Sequence, residues 1–492
     1  MSNRGRVAVG CVLGLLAMGR LRAADDSGRD RLVAALLGAT PLAEDLQALS
    51  DRVGGRPTGS DANRRAVDWA MARLADAGVT ARRERFAVGD QWLERSARAE
   101  VRGDGLSFAP RVAAMPFSIS TPAGGASAPL VDAGRGAEAD FTRLGTKARG
   151  AFLLVEQDLL ADVDGLFREY NETSAIEQRA RAAGAAGVAY VSSRASGLLY
   201  RHNVAIGAAN RAPMVVLERE AAMRAMRLLR HGASLTLTVW IDAETSTTAS
   251  AENVVAEIPG TNRPDEIVLM GAHLDSWDLG GGTLDNGANA VLLIDVARQI
   301  VRLGLKPSRT IRLVLWNGEE LGMRGSFGYV QAHAAELDRH VVAGAVDIGC
   351  GRVTGFYTNG RPDLVPIVDR LLAPQAGLGP FAQVDAPVVG TDNFDFMLEG
   401  VANLVANQES ANYGPNYHAS SDTFDKVDLR QLHANAAVVA AAIYAFAEAD
   451  VTWARQSRAD VERLVDSTSL KQQMISFHVF DAFAEGTRGR RR

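Results

Sequence analysis

Lysine is almost absent from this 492-residue chain, occurring only at Lys147, Lys306, Lys426 and Lys471 among 53 basic residues. The other basic residues are scattered arginines, outweighed by 58 acidic ones to a net charge of −5. No basic stripe is left for a polyanion, which argues against nucleic acid or an anionic membrane surface as partner. Cysteine is rarer still, at Cys11 and Cys350. Long apolar runs are missing too. The longest, Val7 to Met18, covers about 12 residues where a bilayer needs about 20, so no stable membrane span is expected.

That short run fits an export signal. Arg4 and Arg6 precede it and Ala23 and Ala24 follow it, the layout of a signal peptide over residues 1–24. The mature protein is then secreted or periplasmic. Cys11 lies too early in the run for a lipid anchor, and Cys350 alone cannot form an intramolecular disulfide. At the other end, Arg488, Arg490, Arg491 and Arg492 are expected in a disordered, solvated tail.

The length implies more than one folded unit. Helical spacing over residues 30–49, broken near Gly38 and Pro41, and over 64–77 frames a loop rich in glycine and proline, Gly54 to Ser60. Residues 108–245 have a different texture, with short apolar runs between Ala-rich helical stretches. They predict a compact α/β or β-sandwich insert without chemistry of its own. From Asn253 onward, near-continuous apolar strands at 254–258, 266–270, 310–316, 341–348 and 401–406 alternate with helices at 289–303 and 431–449. This rhythm predicts an α/β fold whose mixed, mostly parallel sheet is covered by helices. Residues 25–107 and 246–450 are expected to form that domain together, 108–245 the insert, and 451–492 a C-terminal extension of unread role.

Polar residues gather where the predicted strands end, the place where open α/β sheets build their sites. His273 and Asp275 follow the strand at 266–270, and Asp285 lies in the turn beyond. Glu319 and Glu320 follow 310–316, Asp347 ends 341–348, and His418 sits in a polar loop before Asp422. Zinc takes imidazole nitrogen and carboxylate oxygen, and a two-metal site needs one bridging carboxylate with separate terminal ligands. Two histidines, one aspartate able to bridge, further carboxylates and a spare glutamate fit that need. A loop can turn Glu320 to a metal while Glu319 faces the water. Asp275, two residues after His273, is placed to accept the other imidazole N–H. The remaining histidines, at 202, 231, 333, 340, 433 and 478, are expected to be structural or superficial.

The segments around His273, Asp285, Trp316 to Gly322, Gly390 to Asn393 and Tyr417 to Thr423 resemble the co-catalytic di-zinc exopeptidases of clan MH. Among these the likeness is to carboxypeptidase Q and its bacterial relatives, with a phosphorylase/hydrolase-like fold. The loop at Gly54 to Ser60 is similar to that family's N-terminal loop, and 108–245 to its β-rich protease-associated domain. The resemblance implies two Zn²⁺ per chain: His273 and Asp347 on one, Glu320 and His418 on the other, Asp285 between them and Glu319 as general base. It also implies a cis peptide at Asp285–Asn286, peptide substrates and a homodimer. Ala345 departs from the family, which often has an acid or amide two before the terminal aspartate. Aminopeptidase or dipeptidase action is slightly favoured over carboxypeptidase action. Trp277, Asp392, Tyr413 and Tyr417 are candidates for the substrate pocket. Two other readings are a non-catalytic binding module similar to the transferrin receptor and a glutaminyl cyclase with one zinc.

Overall fold

The computed structural model describes residues 26–202, 204 and 207–491. The signal expected at 1–24 lies outside the described residues. Among those described, no single helix is long and apolar enough to cross a membrane.

Two very long antiparallel strands, β1 (Thr80–Gly103) and β8 (Leu235–Ile258), form the backbone of the molecule. The short strands β2 (Leu106–Phe108) and β3 (Val112–Ala114) follow β1. Next come β4 (Ala126–Asp132), β5 (Phe152–Val155), β6 (Gly187–Val191) and β7 (Met214–Leu217). After β8 come β9 (Arg263–His273), β10 (Arg309–Trp316), β11 (His340–Ala345), β12 (Val353–Tyr357) and β13 (Asn403–Gln408). The sheet order is β12-β13-β11-β9-β10-β8-β4-β5-β6-β7-β3. Pairing is parallel among β13, β11, β9 and β10, and again among β4, β5, β6 and β7. β8 joins the two halves by pairing antiparallel with β4 near its start and with β10 near its end.

Both halves are covered by helices, as strands buried on two faces require. β10 is buried at all eight positions, and helix Ala288–Arg302 beside it is buried nearly all round. Helix Leu429–Glu448 packs on the same side, with Asp428 capping its first turn by accepting the Gln431 N–H at 3.0 Å. The middle segment is α/β, not a β-sandwich, because helices Glu138–Leu144 and Val163–Ala183 connect the parallel pairs β4–β5 and β5–β6. The boundary expected at residue 245 falls inside β8, since one continuous strand serves both halves.

Arg488 and Arg490 correct the expectation of a solvated tail, while Arg491 is exposed and Arg492 lies outside the described residues. Residues 451–491 fold into helices Arg458–Ser467, Leu470–Ser476 and Phe480–Ala484. Val461, Val465, Leu470, Met474 and Phe483 bury against Met323, Phe394 and Leu398, which follow β10 and precede β13. Arg488 is 6% exposed and grips Asp395 through Nε at 2.8 Å and Nη2 at 2.7 Å. An isolated run of arginines looks solvated in sequence because its buried partner, Asp395, is distant along the chain.

Candidate metal centre

His273 is the last residue of β9, and Asp347 lies two residues beyond β11, its neighbour in the sheet. Glu319 and Glu320 follow β10 across Gly318, whose φ of +81° turns the chain at the strand end. Asp285 sits in the turn before helix Ala288–Arg302, and the Asp285–Asn286 peptide is cis. His418 comes from the loop after β13.

These side chains form two donor groups that share Asp285. His273 Nε2 lies 3.0 Å from Asp285 Oδ1 and 3.0 Å from Asp347 Oδ1. His418 Nε2 lies 3.3 Å from Asp285 Oδ2 and 3.0 Å from Glu320 Oε2. The two oxygens of Asp285 are thus divided between the histidines. Tautomers follow from the opposite ring nitrogens. His273 Nδ1–H donates to the Asp275 carbonyl oxygen at 2.9 Å, and His418 Nδ1–H donates to the Arg201 carbonyl oxygen at 2.9 Å. Asp275 therefore orients His273 through its backbone. Its carboxylate, expected to do so, is 3.7 Å away at Oδ1, and Oδ2 accepts from Thr58 at 2.6 Å.

Each Nε2 thus faces two buried carboxylate oxygens and needs a cation between them. Among the described residues, Asp285 and Asp347 form ion pairs with imidazoles and with no lysine or arginine. A tetrahedral zinc with bonds of about 2.0–2.1 Å sets neighbouring ligand atoms about 3.3 Å apart, close to the separations found here. The donor set fits the metal. Without a metal, the imidazoles take the cationic role. Burial would lower His418, but Glu320 and Asp285 raise it to about 9. Burial opposes charge on His273 as well, yet Asp347 lifts it well above the usual imidazole range. Burial alone would raise Asp285, and the two imidazoles hold it well below its usual value instead.

Glu319 belongs to neither group. Its carboxylate lines the cleft beside them. Burial lifts that carboxyl well above the ordinary range, with His273 opposing and Asp347 adding to the lift.

Several supports were not legible in the sequence. Asp422 accepts the backbone N–H groups of Leu284 at 2.6 Å and Asp285 at 3.2 Å, fixing the turn that carries the shared carboxylate. Arg56, fully buried, donates to the carbonyls of Leu274, Gly281 and Gly282 and staples the N-terminal loop to that same turn. His418 has φ +54°, a left-handed conformation unfavourable to a residue with a Cβ. Arg201 of the middle segment holds it there, its N–H donating to the His418 carbonyl at 3.2 Å.

The cleft over these donors has a volume of about 500 Å³ and is lined by Tyr413 and Tyr417. Trp277 and Asp392 do not line it. Trp277 packs edge-on behind His418, with ring centroids 6.1 Å apart, and Asp392 is buried and accepts from Ser326 at 2.6 Å. His202 and His478 do line it, against expectation. Burial lowers His202 to about 4, leaving a neutral imidazole in the wall. Both reach the cleft from elements outside the catalytic half, so position along the chain gave no signal.

Residues 253–443 match the model of peptidase family M28. Carboxypeptidase Q of Homo sapiens is 31% identical over 236 residues, 48% of this chain and 50% of that one, so the chain matches half the length of this relative. Carboxypeptidase Q of Mus musculus is 28% identical over 412 residues, covering 83% of this chain and 86% of that one. The crystal structure of a peptidase M28 precursor from Shewanella amazonensis superposes with a TM-score of 0.77 at 26% identity, covering 87% of this chain and 98% of that one. A zinc aminopeptidase from Bacillus subtilis shares the fold, with a TM-score of 0.65 at 22% identity over 85% of this chain and 98% of that one.

Proposed function

We propose, from the match of residues 253–443 to the model of peptidase family M28, that the protein is a zinc-dependent exopeptidase with two metal ions per chain. The observation that carries the reading is the division of the two Asp285 oxygens between His273 and His418, with Asp347 and Glu320 completing the two donor groups. Bound zinc supplies a lowered water pKa and polarisation of a carbonyl oxygen. The residues of the chain do the rest. Glu319, free of both donor groups, takes a proton from the attacking water and returns it to the departing amine. The Asp275 and Arg201 carbonyls keep both imidazoles in the tautomer that presents Nε2. The tyrosines of the cleft hold the peptide and exclude water.

We favour aminopeptidase or dipeptidase polarity over carboxypeptidase polarity. The segment 108–245 is proposed as a protease-associated insert, residues 1–24 as an export signal to a periplasmic or extracellular site, and pairing of two chains on family likeness alone. Metal analysis of the purified protein, run with dipeptides blocked at either end, tests the central reading. Two zinc ions and hydrolysis of dipeptides with a free N-terminus are expected. One zinc per chain favours a cyclase, and none favours a binding module.

A further inference from the structure

The C-terminal extension does more than complete a core. Ser469, Gln473, Ser476, Phe477 and His478 line the same cleft as the metal donors, about 500 Å³ in volume. Opposite them, Leu166, Tyr170, Thr173 and Ser174 of helix Val163–Ala183 form the facing wall. The two walls touch. Ser476 Oγ hydrogen-bonds to Asn171 Oδ1, and the rings of Phe477 and Tyr170 lie 5.7 Å apart. Elements remote in sequence from the catalytic strands therefore meet across one end of the cleft.

That closed end is near the chemistry. The Tyr170 ring lies 4.3 Å from that of His202, tilted against it by 46°, and His202 lies 5.3 Å from the ring of His418. Extended peptide advances about 3.3–3.6 Å per residue, so only a few residues separate the donors from Phe477. The wall is also firmly seated. Gln473 Oε1 accepts the Val389 N–H at 3.3 Å, the Phe477 ring lies against Gly390, and the Arg488–Asp395 pair anchors the segment beyond. Beside the polar side chains already named, the cleft as a whole is lined by the apolar Phe117, Leu166, Val204, Val388, Val389 and Phe477. A cavity of this size holds a compact ligand, and a long peptide passing the donors would run into the Phe477–Tyr170 contact.

We propose that the extension, through Phe477 and His478, closes one end of the cleft and restricts the enzyme to di- and tripeptides with apolar side chains. This rests on the hydrolase reading above and narrows its substrate class. Removing the whole extension would bare the core beneath it, so single substitutions are the sound probe. The test measures kcat/KM for a dipeptide, a tripeptide and a pentapeptide of leucine and alanine in the zinc-loaded wild type, F477A and H478A, with a thermal melt of each. Wild type is expected to disfavour the pentapeptide by about tenfold or more relative to the dipeptide, and F477A to raise that pentapeptide-to-dipeptide ratio by about tenfold. The exposed His478 should give a smaller change in the same direction without loss of fold. Equal cleavage of all three lengths by wild type overturns the proposal while leaving the hydrolase reading intact, as does a ratio unchanged in both variants. No hydrolysis of any peptide overturns both.

Discussion

The two halves of the sheet are built alike and end differently. β9, β10, β11 and β13 on one side of β8, and β4 to β7 on the other, are parallel sets flanked by helices. Both collect polar groups at their carboxyl edges. In the catalytic half these are two histidines and three carboxylates that could hold metal ions, with no lysine or arginine paired to Asp285 or Asp347 among the described residues. In the middle segment, Glu169 is answered by Arg194 at 3.2 Å, the residue three beyond β6, with Ser193 donating at 3.0 Å. The chain supplies its own counter-ion, and the edge becomes a clamp. Arg194 Nη2 donates to the Tyr417 carbonyl at 3.0 Å, beside the metal donor His418. A parallel strand edge attracts polar side chains in either case. Which charge the sequence puts opposite the acid decides between a metal site and a structural one.

Four substitutions probe that contrast. The largest effect should come from Glu319→Gln, which removes the proposed proton carrier and leaves both donor groups intact. A kcat loss of about 10²–10⁴-fold is expected with zinc content unchanged, measured by turnover beside metal analysis. Arg194→Met strips the middle segment of its internal cation and leaves Glu169 buried without it. Urea unfolding should show a loss of about 3–5 kcal/mol. If stability holds, the clamp is not an ion-pair structure. Arg201→Ala removes the side chain that anchors the carbonyl under His418, through Asp278 at 2.9 Å and the Ala114 carbonyl at 2.6 Å. Zinc affinity at one of the two proposed sites should fall by about 10–100-fold, seen by titration with a competing chelator. Asp158→Asn breaks the exposed pair with Arg135 on the middle segment. It should change stability by less than about 1 kcal/mol, and activity not at all, which bounds what exposed charge contributes there.

His273, Glu320 and Asp347 were legible because each lies within a few residues of a strand end, and apolar runs reveal strand ends directly. Asp285 and His418 lie in turns about ten residues further on and were read from their local motifs. His273 closes β9, and Glu319 and Glu320 follow β10 after Asn317 and Gly318. Other roles depended on direction and depth, which spacing does not encode. Trp277 looked like a cleft residue because it follows the metal motif, yet it packs behind His418. Asp392, a candidate for the substrate pocket, is buried against Ser326. His202 and His478 carried no motif at all, and they stand in the cleft because the loop after β6 and the C-terminal extension fold over it. Arg488 gave the appearance of a solvated tail until its partner Asp395 was brought to it.

By itself the sequence determined the strand–helix alternation, the order of the ligand-bearing turns and the chemical type of the donors, since periodicity and residue chemistry are local properties. The tertiary structure decided which oxygen of Asp285 faces which histidine, which backbone carbonyl fixes each tautomer, and which distant helices wall the cleft. Those are contacts between segments as much as 305 residues apart, and chain closure over such separations depends on how the whole core packs.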